Sequence, residues 1–200
     1  RENGVEALII GSELVSAEKF TDQWRRVIDE VRVRYHGPIG YSANWDHYGR
    51  IEFWDVMDFV GMTTYHTLAD HPNPTVAELM EAWMPIRQNI LTWRATVDKP
   101  ILFTEVGWCS QEGAASAPWN YYHNQHATAA GHEEQRACYE AFMRTWEDVP
   151  GVGGSIWWEW TPYGGGPDCY NYTPKGKPAQ ALLEQWFAAG GHPPTTQPSE

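Results

Sequence analysis

The segment Lys99-Pro-Ile-Leu-Phe-Thr-Glu-Val-Gly-Trp108 decides how this chain is read. It predicts a short buried strand, Ile101 to Phe103, that ends on one carboxylate, Glu105. A glycine and an aromatic residue follow at once. A buried strand that delivers an acid to its C-terminal end, just before a loop, is how a (β/α) barrel presents a catalytic group. The plainer reading is a glutamate that caps the next turn. A second segment, Ala7-Leu-Ile-Ile-Gly-Ser-Glu-Leu14, weighs against that reading, because it delivers Glu13 in the same way.

Around these two strands, apolar runs alternate with helical periodicity. Val5 to Ile10 predicts the first strand. Ser16 caps a helix to about Tyr35, with Phe20, Trp24, Val27, Ile28 and Val31 on one face. His36-Gly-Pro38 stops it. Ile39 to Ala43 predicts the next strand, with Asn44-Trp45-Asp46 at its end. Ile51 to Met57 is a short helix or turn, and Asp58 to Thr64 a third strand ending in Tyr65-His66. Thr75 and Glu78 form a capping box for a helix to about Val97, in which Pro85 predicts a kink or break. After the Glu105 strand comes a long loop, 109–130. A helix over His132 to Glu147 follows, with Ala137, Tyr139, Phe142 and Trp146 inward. Val152 to Trp160 predicts a strand carrying Trp157, Trp158 and Trp160. Pro178 opens a last helix to about Ala189.

Strand followed by helix or turn, five times over, implies a parallel sheet with helices outside, an α/β fold of (β/α)8 TIM-barrel type. Residues 1–190 are expected to form this domain, and 191–200, rich in Pro, Thr and Ser, a tail or linker. Ligand groups then gather at the C-terminal ends of the strands. Those ends carry Glu13, Asn44-Trp45, Tyr65-His66, Glu105 and Trp158-Glu159. Every one is polar or aromatic, which a barrel serving only as a scaffold does not require.

Composition narrows the partners. The formal net charge of −12 argues against nucleic acid and against an anionic membrane surface. No run of 18 apolar residues is present to span a membrane. Twelve Trp and 10 Tyr supply flat amphipathic rings of the kind that suit sugar faces, although large rings also fill cores. Three Cys without a C-x-x-C spacing exclude a disulfide framework or zinc ribbon. Cys109 and Cys169 fall in loops that can meet, and Cys138 in a helix. No H-E-x-x-H occurs, and His123-x-x-His126 is the tightest histidine spacing, so neither a metal nor another cofactor is expected. The chain begins at Arg1 and enters its first strand within a few residues, which reads as a piece of a longer protein. No signal segment is visible, so the compartment is left open, with secretion suggested only by a polymeric substrate.

The ordered run Gly-x-Glu-Leu, Tyr-Ser-Ala-Asn, Asp-x-Val-Gly-Met-x-x-Tyr, Phe-Thr-Glu-Val-Gly-Trp, Trp-Trp-x-Trp and Tyr-Thr-Pro-Lys-Gly-Lys-Pro-Ala resembles glycoside hydrolase family 113 over nearly all of residues 5–190. That family, of the clan A superfamily, contains endo-acting β-1,4-mannanases. The resemblance implies a retaining glycosidase in which an acid/base Glu ends strand 4 and a nucleophile Glu ends strand 7. Here these are Glu13 and Glu105, and the count of strands between them agrees. Strands and helices 4–8 are then present and strands 1–3 absent, so exposed sheet edges are expected to favour self-association. The resemblance further implies an oligo- or polysaccharide partner. It makes Tyr65 the candidate to hydrogen-bond the nucleophile and Trp158 the apolar floor under the sugar at the cleavage point. Trp45 and Trp108 are candidates for flanking subsites, and His66 for a sugar hydroxyl. Ser12 stands where most of the clan has the Asn that bonds the 2-hydroxyl, so Asn44 is the replacement candidate. Retention requires carboxyls about 5–5.5 Å apart, one protonated and one ionised, and their mutual repulsion favours that state. The competing class is a carbohydrate-binding or scaffold protein on an incomplete barrel, without catalysis.

Overall fold

Strand and helix alternate as the apolar periodicity predicts, and the computed structural model describes this for residues 4–191. The elements are β1 (Leu8–Ser12), α1 (Val15–Glu18), α2 (Thr21–Arg34), β2 (Ile39–Ala43), β3 (Phe59–Thr63), α3 (Val76–Val97), β4 (Ile101–Val106), α4 (Ala129–Trp146), β5 (Val152–Trp157) and α5 (Pro178–Ala188). The expected tail at His192–Glu200 lies outside the described residues. The strands form one sheet in the order β1-β2-β3-β4-β5, and β1 to β4 pair in parallel. Sequence order kept in a parallel sheet is the pattern of a barrel wall.

Several boundaries differ from the sequence expectation, each for a local reason. The first ladder bond is Leu8 N to Pro38 O at 2.9 Å, so β1 starts later than Val5 and runs to Ser12. The first helix is broken into α1 and α2. Trp24 Nε1 donates to Ala17 O at 3.0 Å across the break, and Phe20 and Val27 are exposed while Trp24 and Ile28 are buried. Between β2 and β3 the chain makes two one-turn 3-10 segments and no α-helix. Pro85 does not break α3, which runs continuously. Its missing N–H falls on an exposed part of the helix, where the freed carbonyl is not sealed in an apolar core. Helix α4 starts at Ala129, because Thr128 caps it through Gly131 N. A side chain at Gly131 would lie 2.8 Å from Ser110 O, so glycine there permits a close approach.

The described chain forms two compact units. The first comprises residues 4–64, 90–106 and 150–156 and contains the sheet. Its core is aromatic: Tyr41 stands edge-on to Trp24 and Phe53 at centroid distances of 5.2 and 5.4 Å. The second comprises residues 65–89, 107–149 and 157–191. There Trp83 packs on Phe142 and Trp146, and Trp157 stacks on Tyr139 at 4.6 Å. The loops of Cys109 and Cys169 do meet, since Ser110 Oγ donates to Cys169 O at 3.0 Å, and all three thiols are free. Burial pushes the Cys109 thiol up to about 12, which keeps it protonated and unreactive.

Candidate active site

Glu13 follows β1 in an unusual backbone conformation. Its φ is +52°, the left-handed region that a residue with a Cβ adopts only when its surroundings enforce it. Three contacts enforce it. Glu13 N donates to Ser42 O at 2.8 Å, and Leu14 N donates to the Tyr41 hydroxyl at 2.9 Å. That hydroxyl in turn donates to Glu18 Oε1 at 2.8 Å. Burial, together with the bond to Glu18, pushes the Tyr41 phenol well above its usual range, so it stays a donor. Just before Glu13 the β1–β2 register slips, from Ile9 opposite Gly40 to Ser12 opposite Ser42. A slip of this kind re-aims the next side chain, and such bulges gather beside functional sites.

Glu105 sits on β4 beside a second slip. Met62 pairs with Phe103, but Thr63 pairs with Glu105. Thr64 Oγ1 donates to the Glu105 carbonyl at 2.9 Å and fixes the backbone there. Thr63 thus relates to both acids. Its backbone is the register partner of Glu105, and its Oγ1 donates to Glu13 Oε1 at 2.9 Å. Trp45 N donates to the same Thr63 oxygen at 3.1 Å, which orients the hydroxyl proton toward Glu13. Below this level Ser42 Oγ and Thr104 Oγ1 lie 2.6 Å apart, reaching across β3 at Gly61. A Cβ at Gly61 would stand 3.0 Å from Thr104 Cγ2, so the absence of a side chain permits this contact.

The other expected residues of this unit fall at strand ends. Ser12 is exposed at the end of β1. Asn44 follows β2, and its Oδ1 is buried without a hydrogen-bond partner among the described residues. Trp45 is half-buried.

In the second unit, Tyr65 is buried edge-on to Tyr172 and His66 edge-on to Trp83. Trp157 and Trp158 point apart, as strand alternation requires. Trp157 packs on Tyr139 and Trp186, while Trp158 is 40 % exposed. Gly107 admits the Trp158 carbonyl, which would lie 1.9 Å from a Cβ there. Trp108 departs from expectation. It is 0 % exposed and packs against Tyr139 and Phe142, so its ring has no face to offer a sugar and it belongs to the core. The apolar context of Val106-Gly107 was compatible with both roles, and only packing against α4 separates them.

Sequence reasoning missed Thr63, Tyr41 and the Ser42–Thr104 pair. A threonine in an apolar strand carries no signal of its own, because its hydrogen-bond partners lie 18 and 50 residues away along the chain. Among the described residues, no three His, Cys, Asp or Glu side chains converge as a metal site. No helix there is long and apolar enough to cross a membrane.

The model of Glycoside Hydrolase Family 113 matches residues 1–164. Among solved structures the chain is similar to a GH113 β-1,4-mannanase, with 25 % identity and a TM-score of 0.81 over 94 % of this chain and 58 % of that one. It is similar to the GH113 β-mannanase AaManA from Alicyclobacillus acidocaldarius, described in complex with ManMIm. There the identity is 27 % and the TM-score 0.77, over 94 % of this chain and 57 % of that one. A β-glucuronidase from Ruminococcus gnavus, in complex with D-glucuronic acid, shares the fold alone at 16 % identity. Its TM-score is 0.60, over 90 % of this chain and 32 % of that one. A search of curated proteins gives no significant match. The chain spans about 58 % of the length of the first mannanase it matches, so its fold is a partial (β/α) barrel.

Proposed function

Because the chain belongs to glycoside hydrolase family 113, we propose that it carries the catalytic pair of a retaining β-glycoside hydrolase acting on a β-1,4-linked polysaccharide such as mannan. The observation that carries this reading is Thr63, which bonds the Glu13 carboxylate and pairs in register with Glu105. Two acids from strands that are not neighbours are thereby tied to one level of the sheet.

In the first step Glu105 attacks the anomeric carbon while Glu13 gives its proton to the glycosidic oxygen. The carbon–oxygen bond breaks, the leaving chain departs as an alcohol, and a glycosyl ester remains on Glu105. In the second step Glu13 takes a proton from water, whose oxygen displaces Glu105, and the configuration at the anomeric carbon is restored. The chemistry calls for carboxyls about 5–5.5 Å apart. The left-handed backbone at Glu13 supports its role, since strain of this type concentrates at functional positions. Asn44, whose buried Oδ1 has no hydrogen-bond partner among the described residues, is the candidate to meet the sugar 2-hydroxyl in place of Ser12. Trp158 offers an exposed indole face as a sugar platform. For Tyr65 and His66 the support comes from the resemblance alone.

The test is hydrolysis of mannan, glucan and xylan by the full-length protein, with Glu105→Ala and Glu13→Ala beside it. Loss of the general acid is expected to cost about 10²–10⁴-fold on unactivated substrates. Added azide separates the roles. With Glu105→Ala it enters from the vacated face and gives the inverted glycosyl azide. With Glu13→Ala it intercepts the glycosyl ester and gives the retained one. Activity unaffected by either substitution would sink the assignment. Sugar binding without turnover would instead favour a binding protein.

A further inference from the structure

A second feature lies wholly within the unit that holds Trp158. A groove of about 530 Å³ is lined by Tyr121, Tyr122, Gln125, Trp158, Glu159 and Asn171, among others. That volume is within the range of small-molecule sites, about 300–1,000 Å³. Tyr121 and Tyr122 are 46 % and 64 % exposed, so the pair presents aromatic surface to solvent. The two rings lie 3.9 Å apart, centroid to centroid, at 37°, and the Tyr121 hydroxyl donates to that of Tyr122 at 2.6 Å.

The loop bearing them is braced from beneath. Gln111 is buried, and its side-chain amide makes three hydrogen bonds to this loop. Its Nε2 donates to Tyr121 O at 3.1 Å, and its Oε1 accepts from Asn124 N and Gln125 N at 2.8 and 2.7 Å. The Tyr172 hydroxyl donates to Pro118 O at 2.6 Å. Asn171, also on the groove, is anchored through its backbone carbonyl, which accepts from the buried Lys177 ammonium at 2.8 Å, and the residue is exposed. A solvent-exposed aromatic pair with amides and a carboxylate beside it suits a pyranose. Its C–H face packs on a ring and its hydroxyls find acceptors and donors at the rim.

We propose that this groove is a sugar subsite, in which the Tyr121–Tyr122 pair seats one pyranose of a β-linked chain next to the unit at Trp158, with Gln125 and Asn171 taking its hydroxyls. The identification of the sugar as part of a polysaccharide substrate rests on the hydrolase reading. Tyr121 and Tyr122 lie well past the end of β4, so the strand-end pattern does not mark them.

The experiment compares the full-length protein with Tyr121→Ala/Tyr122→Ala and with Gln125→Ala. It measures mannohexaose, cellohexaose and xylohexaose binding by calorimetry in a Glu105→Ala background, and kinetics on polysaccharide and on an aryl monoglycoside in the native background. The double variant is expected to bind the hexaose about tenfold more weakly. It should raise KM on polysaccharide with kcat and aryl-monoglycoside turnover unchanged, the signature of lost uniform binding. Gln125→Ala should shift the same quantities in the same direction. Unchanged affinity and KM in both variants, with polysaccharide hydrolysis intact, overturns the subsite and leaves the hydrolase reading standing. Weakened hexaose binding in a protein that hydrolyses nothing supports the subsite and removes the hydrolase reading. Failure of the parent protein to bind any of the three hexaoses overturns the subsite.

Discussion

Thr63 is the side chain on which the candidate pair turns. It donates to Glu13 and is itself held by Trp45 N, so its proton has one direction to go. Hydrogen bonds to charged groups are worth about 1.5–3 kcal/mol. Thr63→Val, which keeps the shape and removes the donor, is expected to lower kcat/KM on manno-oligosaccharide by about 10–100-fold, with Thr63→Ser restoring most of it. An unchanged pH–rate profile in the valine variant would contradict a role exerted through Glu13. The two tryptophans nearest the strand ends make a complementary contrast. Trp108, with no exposed surface, is expected to cost about 3–5 kcal/mol of stability as Trp108→Ala, seen in a denaturant titration. Trp158→Ala should leave that titration nearly unchanged while weakening sugar binding, because much of its ring already faces solvent.

Among the elements, β2 illustrates how an ion pair and a strand start are combined. Asp58 accepts from Ile39 N at 2.7 Å and from Arg32 at 2.6 Å, so it ties the end of α2 to the first residue of β2. Partial burial works against the charged carboxylate. The Ile39 amide and the Arg32 guanidinium outweigh it, and the carboxyl is held below the usual aspartate range. A depressed folded value means that the stabilisation is present above the unfolded value of about 3.9 and is lost as pH falls through the folded one. Asp58→Asn is therefore expected to be less stable than the parent at pH 7. The difference should shrink on acidification below about pH 4, as urea midpoints at several pH values would show. Both side chains are partly exposed, which limits the effect to about 1 kcal/mol at most. Helix α3 starts on the reciprocal bonds foreseen from Thr75 and Glu78. Thr75 N donates to Glu78 Oε2 at 2.7 Å, and Glu78 N donates to Thr75 Oγ1 at 3.2 Å.

At the scale of the whole molecule, the sheet has one face toward helices and one that the described residues leave partly open. Alternation puts Ile9 and Ile156 on the same side as Ser42 and Thr104, and they are 36 % and 50 % exposed. Both lie on the outermost strands, β1 and β5. Apolar side chains on unpaired strand edges invite pairing with another copy. A polypeptide of these 200 residues is expected to sediment as concentration-dependent oligomers, and Ile156→Lys should shift it toward monomer. A single monomeric species across concentrations would contradict that expectation. The mannanase chains that match this one are longer, and this chain spans 58 % of the first.

The sequence by itself determined the order of strands and helices, the parallel sheet and the two acids at strand ends. These follow from local rules: apolar runs of strand length, caps and breakers, and the habit of barrels to place function where strands stop. It also separated Trp157 from Trp158, because alternation along a strand is local geometry. Only the tertiary structure decided the rest. The register slips beside Glu13 and Glu105, the left-handed turn at Glu13 and the bond from Thr63 all depend on neighbours from other strands. The burial of Trp108 depends on a helix more than 20 residues downstream, and the Tyr121–Tyr122 groove on a glutamine ten residues before it. A side chain's identity states what it is able to do. Which of those abilities it exercises is fixed by partners distant in sequence, and no local pattern encodes them.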